Sequence, residues 1–130
     1  MTVPHRIRAL LTLLVAAAVV IVATGSALGR VGAHGAQKRA IMNAAGLRPA
    51  TPLGCYDVDI STANRAWAAT HYAGSEHNPC LRYAADGVSI THYARGRWHF
   101  VTAGSAFSCP IPGHIPAAVQ HDLRLFCHRG

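Results

Sequence analysis

Val88-Ser89-Ile90-Thr91-His92-Tyr93-Ala94-Arg95-Gly96-Arg97-Trp98-His99-Phe100-Val101-Thr102-Ala103 is the stretch on which the fold turns. Its first six residues alternate with a period of two, and a glycine interrupts the apolar pattern once, at Gly96. That is the signature of a β-hairpin. Two registers compete. A two-residue loop at Arg95-Gly96 sets His92 opposite His99 and puts Trp98 and Phe100 on the face of Tyr93, Thr91 and Ser89. Val88, Ile90 and Val101 then lie on the other face, and Arg95 must take a positive φ, which is costly for a non-glycine residue. A three-residue loop, Ala94-Arg95-Gly96, with Gly96 left-handed as a G1 bulge, instead pairs His92 with Trp98, Ile90 with Phe100 and Val88 with Thr102. It gathers Val88, Ile90, Trp98 and Phe100 on one face and leaves Ser89, Thr91, His99 and Arg97 on the other. This second register is the expected one.

Working outward, Cys80 to Ala84 is expected as a short strand before the Asp86-Gly87 turn. Tyr56 to Ile60 and Trp67 to Tyr72 are expected as two more strands, joined through Thr62-Ala63-Asn64. Toward the C-terminus, Pro116 suits a first helical position, where its missing donor costs nothing. At 100° per residue, Ile115, Val119, Leu123, Phe126 and Cys127 form one stripe, and Leu125 sits away from it. The expected domain is therefore α+β: an antiparallel meander of four or five strands covered by a C-terminal helix, spanning residues 55–130.

The four cysteines, Cys55, Cys80, Cys109 and Cys127, all fall in that domain. An even count in a small exported chain points to two disulfides, with three possible connectivities. Local closure favours Cys55–Cys80 and Cys109–Cys127. Thiolate zinc is disfavoured because no two cysteines have the close spacing that structural sites use.

The reason to place the chain outside the cytoplasm lies at its N-terminus. Arg6 and Arg8 precede an uncharged run from Ala9 to Gly29, and Gly25-Ser26-Ala27 provides small residues for cleavage, with Ala33-His34-Gly35 a weaker second site. Residues 1–27 are expected to be a signal peptide, or an uncleaved anchor contacting the membrane through residues 9–29. Residues 28–54 are expected to be a basic connector, with a short helix from Ala36 to Ala45 around Ile41 and Met42. Localisation follows as secreted, or membrane-anchored with the domain outside.

The chain has 130 residues and a formal charge of +7. Residues 1–54 hold six basic groups and no acidic ones; residues 55–130 hold six basic and five acidic ones. A near-neutral domain argues against nucleic acid as its partner. Phosphate-loop, dinucleotide and G-x-S-x-G patterns are absent. His71, His77, His92, His99, His114, His121 and His128 lack metal-ligand spacing, so neither a metal nor another cofactor is expected. No catalytic residue is assigned. The reading that remains is a non-catalytic binding or structural module whose partner is a cell-envelope polymer or an extracellular protein. Tyr72, Tyr83 and Tyr93 are candidates for an exposed aromatic strip. Two alternatives stand beside it. One is a small hydrolase, a nuclease or wall-active enzyme, using His99 or His71 with Glu76. The other is a proteinase inhibitor presenting the Cys109–Pro116 loop with Pro110, Pro112 and Gly113.

Trp67-Ala68, Gly96-Arg97-Trp98, Ala103-Gly104-Ser105, Phe107 through Cys109, Pro116, Val119, Leu123 and Cys127 together resemble a module of small exported, functionally uncharacterised actinobacterial proteins. The resemblance covers roughly residues 57–130. It departs at Asn64-Arg65-Ala66, where a proline is expected before the tryptophan. It implies pairing of Cys109 with Cys127 around the terminal helix, and it implies no enzymatic activity.

Overall fold

The computed structural model describes residues 29–74 and 79–130. The expected signal or anchor at residues 1–27 lies outside them, as do Glu76 and His77. Five strands form one antiparallel sheet in chain order: β1 (Arg30–Gly32), β2 (Tyr56–Ser61), β3 (Trp67–Tyr72), β4 (Val88–Ala94) and β5 (Arg97–Gly104). The expected α+β meander is present, with β2 and β3 where the alternation placed them.

The hairpin takes the two-residue register, not the expected three-residue one. Arg95 and Gly96 form a two-residue loop with φ of 53° and 78°. Tyr93 pairs with Trp98 and His92 with His99; after Thr91 and Phe100 the ladder shifts, so that Ile90 meets Thr102. The extra residue is thus Val101, in mid-strand, rather than a residue of the turn. The reason is that each face of the sheet carries a core, so splitting the apolar residues leaves only Phe100 and Tyr93 largely exposed. Val58, Ile60, Tyr56 and Ala68 belong to one core, with Trp98 against it; Trp67, Ala69 and Ile90 belong to the other, with Val88 and Val101 against it.

The first face is covered by a segment expected to be a solvated connector. Arg30–Gly32 adds the outer strand, and Ala33 extends the ladder by donating to Val58 O at 2.8 Å. Helix α1 (Gly35–Ala44) then lies on the face with Ile41 and Met42 wholly buried. The expected short helix is real; its apolar pair is what makes the segment part of the fold. Beyond it, Arg39 donates to Thr51 O at 2.7 Å and Pro49 O at 3.2 Å, fixing the loop that leads to Cys55. Cys55 bonds to Cys80.

Cys80–Ala84 is not a strand. Leu81–Tyr83 forms a 3-10 turn. Its end is held by the Tyr56 hydroxyl, which donates to Tyr83 O at 2.7 Å, and the disulfide ties its start to the first core. The segment therefore serves the cover, and the fifth strand comes from Arg30–Gly32 instead.

The second face is covered by the C-terminal segment, with Ile111, Ile115, Val119, Leu123 and Leu125 buried in its core. The expected helix is shorter than the periodicity implied: α2 spans Ala117–Asp122, and Pro116 caps it rather than opening it. Arg124, left-handed at φ 55°, ends the helical phase. The stripe beyond it is consequently reversed. Leu125 is 8% exposed and Phe126 75%, opposite to the helical projection. Cys127–His128 forms β7, which runs parallel to β6 (Phe107–Ser108), and Cys109 bonds to Cys127. Both favoured disulfides are formed.

Gly113 lies against the bulge. A Cβ there would stand 2.1 Å from Val101 Cγ1, and φ is 101°, so only glycine lets this loop close on the sheet. The exchange of Leu125 and Phe126 is directly testable. Leu125→Ala should lower unfolding stability by about 2–4 kcal/mol, while Phe126→Ala should change it by less than about 0.5 kcal/mol. Urea titration of both variants checks this, and the reverse order would restore the continuous helix.

Candidate functional site

The histidines are the natural place to look for chemistry. The expectation that His92 and His99 point to opposite faces is overturned: they are direct cross-strand partners on one face. The two-residue loop brings them together. His92 stacks on Trp67 with ring centroids 4.3 Å apart and planes at 29°. His99 Nε2 lies 3.0 Å from Ala94 O. His92 is thus engaged by the neighbouring strand β3 and His99 by the hairpin itself.

His71 stands at the other end of β3, with Nε2 3.6 Å from Asp57 Oδ2 on the neighbouring strand. His71 pairs with Val88 and His99 with His92, so four residues of β4 separate them, a span of about 13 Å. The two candidate hydrolytic bases therefore do not share a site. Among the described residues, no group of three or more His, Cys, Asp or Glu is placed to hold a metal ion.

The Cys109–Pro116 loop is anchored at Ile111 and Ile115, both buried, and only Pro112, Gly113 and His114 stand out between them. Gly113 and His114 both have positive φ, at 101° and 53°. This is a tight turn rather than the extended strand a protease cleft reads.

The tyrosine strip divides. Tyr72 meets Tyr56 edge-on at 5.6 Å, and Tyr83 packs against the same core. Tyr93 lies elsewhere, edge-on to Trp98 at 5.4 Å. The aromatic surface that does form is Tyr93, Trp98 and Phe100, on one face of the β4–β5 hairpin. Phe100 is 55% and Tyr93 45% exposed, and Trp98 is half-buried. Arg95 and Arg97 are exposed at the hairpin end, and from Gly87 to His121 the sequence contains no carboxylate. The five acidic residues lie outside this stretch, so the hairpin itself carries cationic charge and no carboxylate.

One buried polar group escaped the sequence reading. Asp122, at the last turn of α2, is 6% exposed. Its Oδ2 accepts from Ser61 Oγ at 2.7 Å, Thr62 N at 2.6 Å and Ala63 N at 3.1 Å. It therefore binds the helix to the β2–β3 turn. Burial pushes its pKa up, but the hydrogen bonds from Ser61, Ala63 and Thr62 outweigh this and hold the carboxyl below the ordinary range. The available signal was its position: a carboxylate at a helix C-terminus opposes the dipole and calls for a compensating partner.

No family model, curated protein or solved structure matches the chain.

Because its folded-state pKa is depressed, Asp122 stabilises fully above the unfolded carboxyl pKa near 3.9, and that contribution is lost as pH falls through the lower folded value. Asp122→Ala should cost about 2–4 kcal/mol at pH 7. The gap between parent and variant should narrow below about pH 4. Denaturant titrations at pH 7 and pH 2.5 measure both, and a gap independent of pH would remove the ionised carboxylate from the account.

Proposed function

We propose that the chain is an exported or surface-tethered binding module without catalytic activity, whose partner is an anionic cell-envelope polysaccharide. The observation that carries this reading is the Tyr93–Trp98–Phe100 surface on a hairpin that has exposed arginines and no carboxylate of its own. Aromatic rings offer flat apolar area to the C–H faces of pyranose rings, while Arg95 and Arg97 supply the charge for acidic substituents. Tyr93 packs on Trp98, and Trp98 on the first core, so little entropy is lost when a ligand orders these two rings.

Export is supported by the two disulfides, which belong to oxidising compartments. It is also supported by the basic-then-apolar order of the N-terminal residues and by the resemblance to exported actinobacterial modules. Cleavage after Ala27 leaves β1 whole. Cleavage after Gly35 would remove it together with the buried Ala33, which favours the first site.

Affinity electrophoresis through polygalacturonate and through neutral dextran separates the two parts of the proposal. The domain should be retarded by polygalacturonate more than by dextran. Tyr93→Ser combined with Phe100→Ser should cut retardation at least tenfold while the domain stays folded at the assay temperature, the lost Tyr93–Trp98 contact lowering the melting temperature only modestly. Equal mobility of parent and double variant in polygalacturonate would overturn the proposal.

A further inference from the structure

A recess lies away from the hairpin end, in the cover of the first face. It has a volume of about 180 Å³ and is lined by Arg48, Arg82, Thr51, Tyr56 and Tyr83 among others, with no carboxylate in the lining. Its two walls are held independently. On one side Arg39 grips Pro49 O and Thr51 O, and Thr51 N closes a turn onto Arg48 O at 2.9 Å. On the other, the 3-10 turn is fixed by the Cys55–Cys80 disulfide and by the bond from the Tyr56 hydroxyl to Tyr83 O.

Each wall contributes one exposed guanidinium. That of Arg82 is oriented already: it donates to the Tyr83 hydroxyl at 2.9 Å and lies 4.9 Å from the centroid of that ring. The contact uses one of five donors and leaves the others for a ligand. The floor stays uncharged, since burial and then the neighbouring Tyr72 push the Tyr56 hydroxyl above its ordinary pKa. Asp86 comes just after the wall residues Ala84 and Ala85 but is outside the lining.

We propose that this recess is a binding site for a phosphate group, clamped between Arg48 and Arg82. Two cationic forks on separate rigid walls suit a tetrahedral oxyanion, whose oxygens accept from both sides at once, better than a planar carboxylate, which one fork satisfies. The site is independent of the aromatic surface, so the chain offers two contacts of different chemistry to an envelope polymer or a phosphorylated small molecule.

Isothermal titration at low ionic strength with inorganic phosphate, pyrophosphate and acetate tests the site on the disulfide-bonded protein. Phosphate and pyrophosphate should bind saturably at one site, and acetate should not compete. Arg48→Gln and Arg82→Gln should each weaken pyrophosphate at least tenfold, whereas Arg97→Gln should leave it unchanged. Both side chains are exposed, and an unchanged urea midpoint for each variant shows that the fold is intact; Arg82→Lys, which keeps the charge but loses the fork, should recover binding only in part. Absence of saturable binding, equal competition by acetate, or equal weakening by Arg97→Gln would overturn the proposal. Loss of polygalacturonate retardation with phosphate binding intact would leave this site standing.

Discussion

Each face of the sheet is covered by a segment too irregular to hold itself, and each cover is tied down by one disulfide. Cys55–Cys80 joins the loop after α1 to the 3-10 turn on the first face; Cys109–Cys127 closes the C-terminal cover on the second. The second case is the more exposed to failure. Its helix has six residues and its ladder two residues per strand, both below what is stable alone. With separations of 25 and 18 residues, each bond contributes about 3 kcal/mol by restricting the unfolded chain. Asp122 adds a polar tie where the sulfur tie does not reach, drawing α2 onto the β2–β3 turn.

Burial of both faces explains the hairpin. In a sheet with one wet face, Trp98 and Phe100 would be drawn to the side of Ile90. Here α1 provides a second apolar surface, and Trp98 packs beside it. Past Phe100 the bulge at Val101 turns the strand, sending Val101 into the opposite core against Gly113 and leaving Phe100 in solvent. The left-handed Arg95 costs about 1–2 kcal/mol, which the Tyr93–Trp98 contact and the Trp67–His92 stack offset. The exposed aromatic surface is thus a consequence of how the two cores are divided, and it lies on a hairpin that holds no carboxylate of its own.

Much of this was legible from the residues. The alternation in 56–60, 67–72 and 88–103 carried the meander, and the cysteine spacing carried the favoured pairing. The errors have separate physical causes. Residues 28–54 look like a tether because their few large apolar residues are scattered among small and basic ones, with only Ile41 and Met42 adjacent, so the second core was invisible. Leu125 and Phe126 were exchanged because helical periodicity has no term for a left-handed Arg124, which the return to β6 imposes. Cys80–Ala84 has strand-like composition, but the disulfide and the Tyr56 hydroxyl bond are tertiary and decide otherwise. The candidate sites fared differently. The tyrosine strip was sought by residue type, whereas Tyr93 joins Trp98 and Phe100 through a register, and the Arg48–Arg82 recess unites residues 34 positions apart through a disulfide.

The most direct test of the account is residue-resolved hydrogen exchange on a Cys109→Ala, Cys127→Ala double variant in oxidising buffer. Loss of protection confined to β6, α2 and β7, with β2, β3 and α1 still protected, is the predicted result. Uniform loss across the sheet, or full retention in the C-terminal cover, would contradict the claim that each face is held by its own covalent tie.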